Sequence, residues 1–137
     1  MSFVLHPRLE ADGPFVADWT LSRVLLKNDR RFLWLILVPR RDGVSEIFDL
    51  DESDRAQLSA EVARAAKHLK DFAQAWGPCD KINIGAIGNI VPQLHVHIVA
   101  RARSDPAWPD VVWGFGRPEP YSATEVTELV GALRDRL

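Results

Sequence analysis

The sequence predicts an α+β fold on an antiparallel sheet, and three observations carry that prediction. Two β-prone apolar runs, Leu21 to Leu26 and Phe32 to Val38, flank Lys27-Asn28-Asp29-Arg30-Arg31, where Asn and Asp suit a turn. That is a hairpin. A long amphipathic helix follows it, then two more strand-like runs, then a last, shorter helix. Strands, long helix, strands and short helix in that order fit helices gathered on an antiparallel sheet, not alternating parallel units. The 137 residues fit one domain able to bury a sizeable core, and no internal repeat divides them.

Each element has a local reason. Pro39-Arg40-Arg41-Asp42-Gly43 closes the second hairpin strand. Ile47-Phe48 leads into Leu50-Asp51-Glu52-Ser53-Asp54, where Asp51 or Ser53 can cap a helix and the carboxylates sit at the positive end of its dipole. From there Leu58, Val62, Ala65, Leu69, Phe72 and Trp76 recur at spacings of three and four, which predicts one apolar stripe. Gly77-Pro78 stops the helix. Ile82 to Ile87 reads as a strand, Gly88-Asn89 as a turn and Val91 to Ala100 as a further strand.

The stretch 104–121 holds four prolines, two glycines, Trp108, Trp113, Phe115 and Tyr121, too apolar for a linker and too broken for a regular element. Ser122-Ala123-Thr124-Glu125 has the capping-box pattern and opens a helix over 122–137 carrying Val126, Leu129, Val130, Leu133 and Leu137.

Composition removes several function classes. A net charge of -2 argues against wholesale binding to nucleic acid or an anionic membrane. Attraction for an anion must be local, and the basic residues do cluster at 27–31, 40–41 and 101–103. Cys79 is the sole cysteine, so an intramolecular disulfide and a thiolate zinc cage are excluded, and it reads as a small buried residue. Arg8, Glu10 and Asp12 break any apolar run at the N-terminus, and no stretch reaches the roughly 18 apolar residues of a membrane helix, so a cytoplasmic protein is expected.

The stretch richest in chemistry is Gln93-Leu94-His95-Val96-His97-Ile98-Val99. On a strand, period-two alternation puts Gln93, His95 and His97 on one face, with Arg101 and Arg103 beyond them. Leu94, Val96, Ile98 and Ala100 take the other face, toward a core. Four readings compete for the histidine pair: satisfied structural histidines, a His-x-His metal site, nucleotide binding without turnover, and nucleophilic catalysis at phosphorus. Barrel folds that use His-x-His for metal add a glutamate a few residues on, and 99–102 holds none. A neutral imidazole is a competent nucleophile near pH 7, and attack on phosphorus gives a phosphoramidate that water can break. The second imidazole is expected to steady phosphate oxygens and give a proton to the leaving group. Amides around Gly88-Asn89 can hold nonbridging oxygens.

This stretch resembles the signature of the histidine triad (HIT) superfamily, His-φ-His-φ-His-φ-φ with φ apolar, with Gln93 in place of the first histidine. The likeness covers about 20–103: Asn28 at the hairpin turn, Val38-Pro39, Phe48-Asp49-Leu50 before the long helix, and the Gly88 turn fall in family order. It is to the branch that includes dinucleoside polyphosphate hydrolases, rather than to the smaller nucleoside phosphoramidases.

The resemblance implies a HIT-like sheet of about five strands and a nucleotide hydrolase or nucleotidyl transferase acting at an α-phosphate. His95 takes the nucleophile's place and His97 the place that contacts phosphate oxygen and leaving group. Gln93 takes a supporting place among the catalytic residues, Asn28 the ribose-contacting place, and Asn89 a polar place near the phosphates. Ile90 stands where relatives carry a phosphate-binding Ser or Thr. Independently of the resemblance, Arg101 and Arg103 have two readings open, contacts to outer phosphates or solvated charges at the strand end. No resident cofactor is implied, although Mg²⁺ can accompany a polyphosphate substrate. The resemblance also implies a homodimer joining two sheets, with the helix end at Trp76 and the segment 108–121 as interface. That segment has two other uses open to it, a cap on the nucleobase or a packed loop.

Overall fold

A computed structural model describes residues 3–137. A short helix α1 (Pro7–Asp12) leads into β1 (Phe15–Asp18), β2 (Ser22–Leu26) and β3 (Leu33–Pro39). Then come α2 (Glu52–Gln74), β4 (Lys81–Gly85), β5 (Val96–Arg101) and α3 (Ala123–Arg136). The five strands form one sheet in the order β1-β2-β3-β5-β4, every neighbouring pair antiparallel. The α+β expectation and the five-stranded antiparallel sheet hold.

The sheet has two unlike faces. On one, α2 and α3 bury Val24, Leu26, Leu35, Leu37 and Ile98 against Ala65, Leu69, Phe72, Val130 and Leu133. On the other, Leu25, Trp34, Ile36, Val38 and Val99 meet Leu9, Val91, Ala107 and Val112 from loops and α1. β3 is covered on both sides, so its sequence is a continuous apolar run rather than an alternating one.

The helices follow their caps. Asp51 accepts the Asp54 N–H at 2.8 Å, and Ser122 and Glu125 close a capping box around the start of α3. The α2 stripe is buried at Leu58, Ala65, Leu69 and Phe72, but Trp76 is 78% exposed because the helix ends at Gln74. Glu61 sits on this stripe and is buried. Its carboxylate accepts the Leu21 and Ser22 N–H groups, each at 2.9 Å, and so ties α2 to the start of β2.

Two elements escape the sequence reading, α1 and β1, of six and four residues. Elements that short show too few periods to register. Strand ends differ too. β4 is Lys81–Gly85, and β5 begins at Val96 rather than Val91. Pro92 has no N–H for a ladder, and the Leu94 N–H goes to the Val44 carbonyl at 3.0 Å, so 91–95 bends away before the strand starts.

Candidate active site

β5 runs between β3 and β4, with His97 opposite Ile36 on one side and Gly85 on the other. Alternation sends Val96 and Ile98 to the helix face and leaves His97 and Val99 on the other. His95 stands one residue ahead of the strand, yet its ring reaches the same place: the two imidazole centroids are 4.9 Å apart and both side chains are buried.

Hydrogen bonds fix the proton on each ring. His95 Nδ1 lies 2.7 Å from the Gln93 carbonyl, which can only accept, so Nδ1 carries the hydrogen and Nε2 of the neutral ring keeps its lone pair. His97 is the reverse. The Trp34 indole donates to His97 Nδ1 at 2.9 Å, so the hydrogen of that ring is on Nε2. Trp34 and Trp113 pack edge-on against His97, at 5.5 and 5.8 Å between centroids. Gly85 makes room for this: a Cβ there would fall 3.0 Å from the Trp113 ring.

Burial lowers the pKa of His95, against the Gln93 carbonyl, which favours the protonated ring; charge on His6 and Lys27 lowers it further. His97 is pushed down to about 3, first by burial and then by His95 and Lys27. Both rings are therefore neutral near pH 7, His95 with a lone pair on Nε2 and His97 with its hydrogen there.

A cavity of about 470 Å³ opens in front of the pair, a volume suited to a small-molecule ligand. Gly88, Asn89 and Ile90 line one side, with Gly88 at φ +67 turning the chain. Val112, Trp113 and Phe115 line another, so the aromatic segment packs on its own sheet and walls the cavity at once. Lys27 and Arg31 bring positive charge. Arg31 is held by Asp29 through two bonds of 2.9 and 2.7 Å and by the Phe115 carbonyl at 2.7 Å, which pins the wall in place.

Four residues considered for this site lie elsewhere. The Gln93 side chain points to the N-terminal segment, accepting the His6 N–H at 2.8 Å and donating to the Val4 carbonyl at 2.9 Å. Only its backbone serves His95. Arg101 is 2% exposed, paired with Asp105 at 2.7 and 3.0 Å and donating to Asn83 at 2.8 Å, and it does not line the cavity. Arg103 is exposed. Asn28 also stands off the cavity lining, its carboxamide oxygen taken by the Tyr121 N–H at 2.8 Å. Conversely, Trp34, Trp113 and Lys27 are at the site. Parity along β2 and β3 carries a signal for Lys27 and Trp34, but only once the strand register is known.

An open antiparallel sheet with a histidine pair entering its second-to-last strand above a cavity is the arrangement of a histidine triad protein. Residues 8–104 match the HIT domain, and the chain belongs to that family. A histidine triad protein of Bradyrhizobium japonicum superimposes with a TM-score of 0.92 at 47% identity, covering 99% of this chain and 98% of that one. One of Sinorhizobium meliloti does so with 0.92 at 44% identity, covering 98% and 97%. An AP-4-A phosphorylase of Mycobacterium tuberculosis is 33% identical over 82 residues, which are 58% of this chain and 42% of the relative. The match thus spans less than half the length of that relative.

Proposed function

We propose that the protein is a nucleotide hydrolase or nucleotidyl transferase in which His95 attacks the α-phosphorus of a nucleotide polyphosphate, ester or phosphoramidate. The observation that carries the reading is the bond from His95 Nδ1 to the Gln93 carbonyl, which leaves Nε2 with a lone pair aimed away from the backbone. The Nε2–P bond forms as the bond to the leaving group breaks, and the developing charge on the imidazole is met by the carbonyl behind it. Water then attacks the nucleotidyl-histidine, the N–P bond returns its electron pair to Nε2, and a nucleoside monophosphate departs. His97 donates its Nε2–H to a phosphoryl oxygen and stays neutral throughout. The apolar walls at Ile87, Val112, Trp113 and Phe115 supply surface for the nucleobase.

The AP-4-A phosphorylase likeness supports a dinucleoside polyphosphate substrate. A metal centre is the weaker reading: both Nδ1 atoms are engaged, and no three His, Cys, Asp or Glu side chains among the described residues are placed to share an ion. Any Mg²⁺ would arrive with the polyphosphate. The protein is further proposed to dimerise, since β4 ends the sheet with an unpaired outer edge and Ile84 on it is exposed. A single-chain mass by sedimentation equilibrium would refute that. No helix among the described residues is long and apolar enough to cross a membrane.

The test is intact-protein mass spectrometry after mixing with diadenosine tetraphosphate and quenching in acid. A transient gain of one AMP, absent in His95→Ala that remains folded by circular dichroism, is the expected result. Full turnover by His95→Ala overturns the mechanism, and bound nucleotide without adduct or product leaves a sensor instead.

A further inference from the structure

We propose that the Trp113 indole N–H is a ligand-binding donor of this site, and that the atom it binds is a nonbridging oxygen of the nucleotide's α-phosphoryl group. The inference rests on nucleotide binding in front of His95. It gives a polar role to a residue that the proposed function uses only as apolar wall.

The first support is a hydrogen bond that the protein does not make. Trp113 Nε1 is buried without a partner, one of three such side-chain atoms among the described residues, with Ser22 Oγ and Arg40 Nε. Of the three residues only Trp113 lines the cavity. An indole N–H can only donate, so no shift of protons relieves it. Proteins pair the large majority of their buried polar atoms, and an orphan at a ligand cavity points to a partner that arrives with the ligand. Trp34 supplies the contrast. Both indoles pack edge-on against His97, yet only the Trp34 N–H bonds to it, at 2.9 Å. One tryptophan holds the histidine, and the other keeps its hydrogen unspent.

The second support is where that hydrogen lies. A Cβ on Gly85 would fall 3.0 Å from Trp113 Cη2 and 3.2 Å from Cζ2, and Cζ2 is two bonds from Nε1. The edge of the ring that carries the N–H is therefore turned toward the strand floor at Gly85, the residue paired with His97. That is the histidine end of the cavity, where phosphorus must sit for His95 to reach it. Ile87 borders the same edge, its Cδ1 3.5 Å from the same point, and at 45% exposed it has open solvent to move into. A phosphoryl group displacing Ile87 meets two neutral donors, the His97 Nε2–H and the Trp113 N–H. Both spread the charge that develops on its oxygens, and neither gives up a proton. A bond of this kind to an anionic oxygen is roughly twice as strong as one to a neutral acceptor.

Indole ¹⁵N–¹H spectra of the unsubstituted protein resolve one signal for each of the five tryptophans, and Trp113 is assigned through its contact with Gly85. AMP is expected to move the Trp113 proton downfield and slow its exchange, and adenosine, which lacks the phosphate, to leave it in place. By titration calorimetry Trp113→Phe is expected to weaken AMP by about 10-fold or more and adenosine by less than about threefold. A Trp113 signal unmoved with AMP bound, the same shift with adenosine, or equal losses of both ligands in Trp113→Phe would each overturn the proposal. AMP that does not bind at all would overturn the nucleotide reading together with it. The spectra need no variant, so they decide the matter even if Trp113→Phe does not fold.

Discussion

Replacing Trp34 with Phe removes one hydrogen-bond donor while leaving an aromatic ring at the same place on β3. The indole N–H is the partner of His97 Nδ1, and both residues are buried, so water does not readily take over. An orphaned buried acceptor costs about 1–3 kcal/mol, and the smaller ring adds about 1 kcal/mol of lost packing. The variant is expected to lose about 2–4 kcal/mol at neutral pH, measured by urea unfolding.

The pH dependence has a definite sign. A histidine whose folded pKa lies at about 3 adds stability that is present above its ordinary 6.5 and lost as pH falls toward that folded value. Without the indole, Nδ1 is free to accept a proton, and the folded pKa rises. The acid-side loss is then smaller in the variant, so its deficit narrows between pH 6.5 and about 4. With the tautomer no longer held, kcat is expected to fall about 10-fold with KM less affected. If nitrogen-detected NMR finds the His97 proton still on Nε2 with an unchanged titration, and the deficit is flat with pH, the indole is packing and nothing more.

Three further predictions follow from the same geometry. Because burial leads the forces that lower the His95 pKa, kcat/KM for diadenosine tetraphosphate, whose bridged phosphates do not titrate near neutrality, is expected to stay level through pH 6.5 and fall only below it; an acid limb centred at or above 6.5 would contradict this. Gly85→Ala would place a Cβ 3.0 Å from Trp113, so the ring moves off His97 and kcat drops about 10-fold, whereas a stabilised variant with unchanged kcat would show the contact to be slack. Gln93→Ala keeps the carbonyl that serves His95 but loses the bonds to Val4 and His6. It is expected to cost about 1–2 kcal/mol and to speed amide exchange over 3–6, with adduct formation changed less than about threefold; a large loss in adduct rate would restore a catalytic role to that carboxamide.

Much of the protein was legible in the chain because its signals are local. The 3–4 spacing of α2, the Ser122 capping box and the apolar hairpin runs each need only neighbours in sequence, and each forms as read except for Trp76, which lies past the end of α2. The histidine pair was legible for the same reason: two residues of separation is a local fact. What the chain did not reveal depended on where distant segments meet. Gln93 and Asn28 carry polar groups a site would use, but those groups are spent on Val4, His6 and Tyr121, 87 to 93 residues away, while Arg101 is spent on Asp105 and Asn83, 4 and 18 residues away, a pairing that only the fold selects. Trp34 and Lys27 reach the site through strand pairing, and their parity becomes a signal only once that register is known.

By itself the sequence determined the α+β order, the capped helices and the closeness of the two histidines, since periodicity and side-chain chemistry act over a turn or two. Only the tertiary structure decided which nitrogen of each imidazole is free, which cation stays unpaired and which polar side chains face the cavity. Those outcomes turn on hydrogen-bond partners and burial, and both are properties of the assembled sheet rather than of any segment within it.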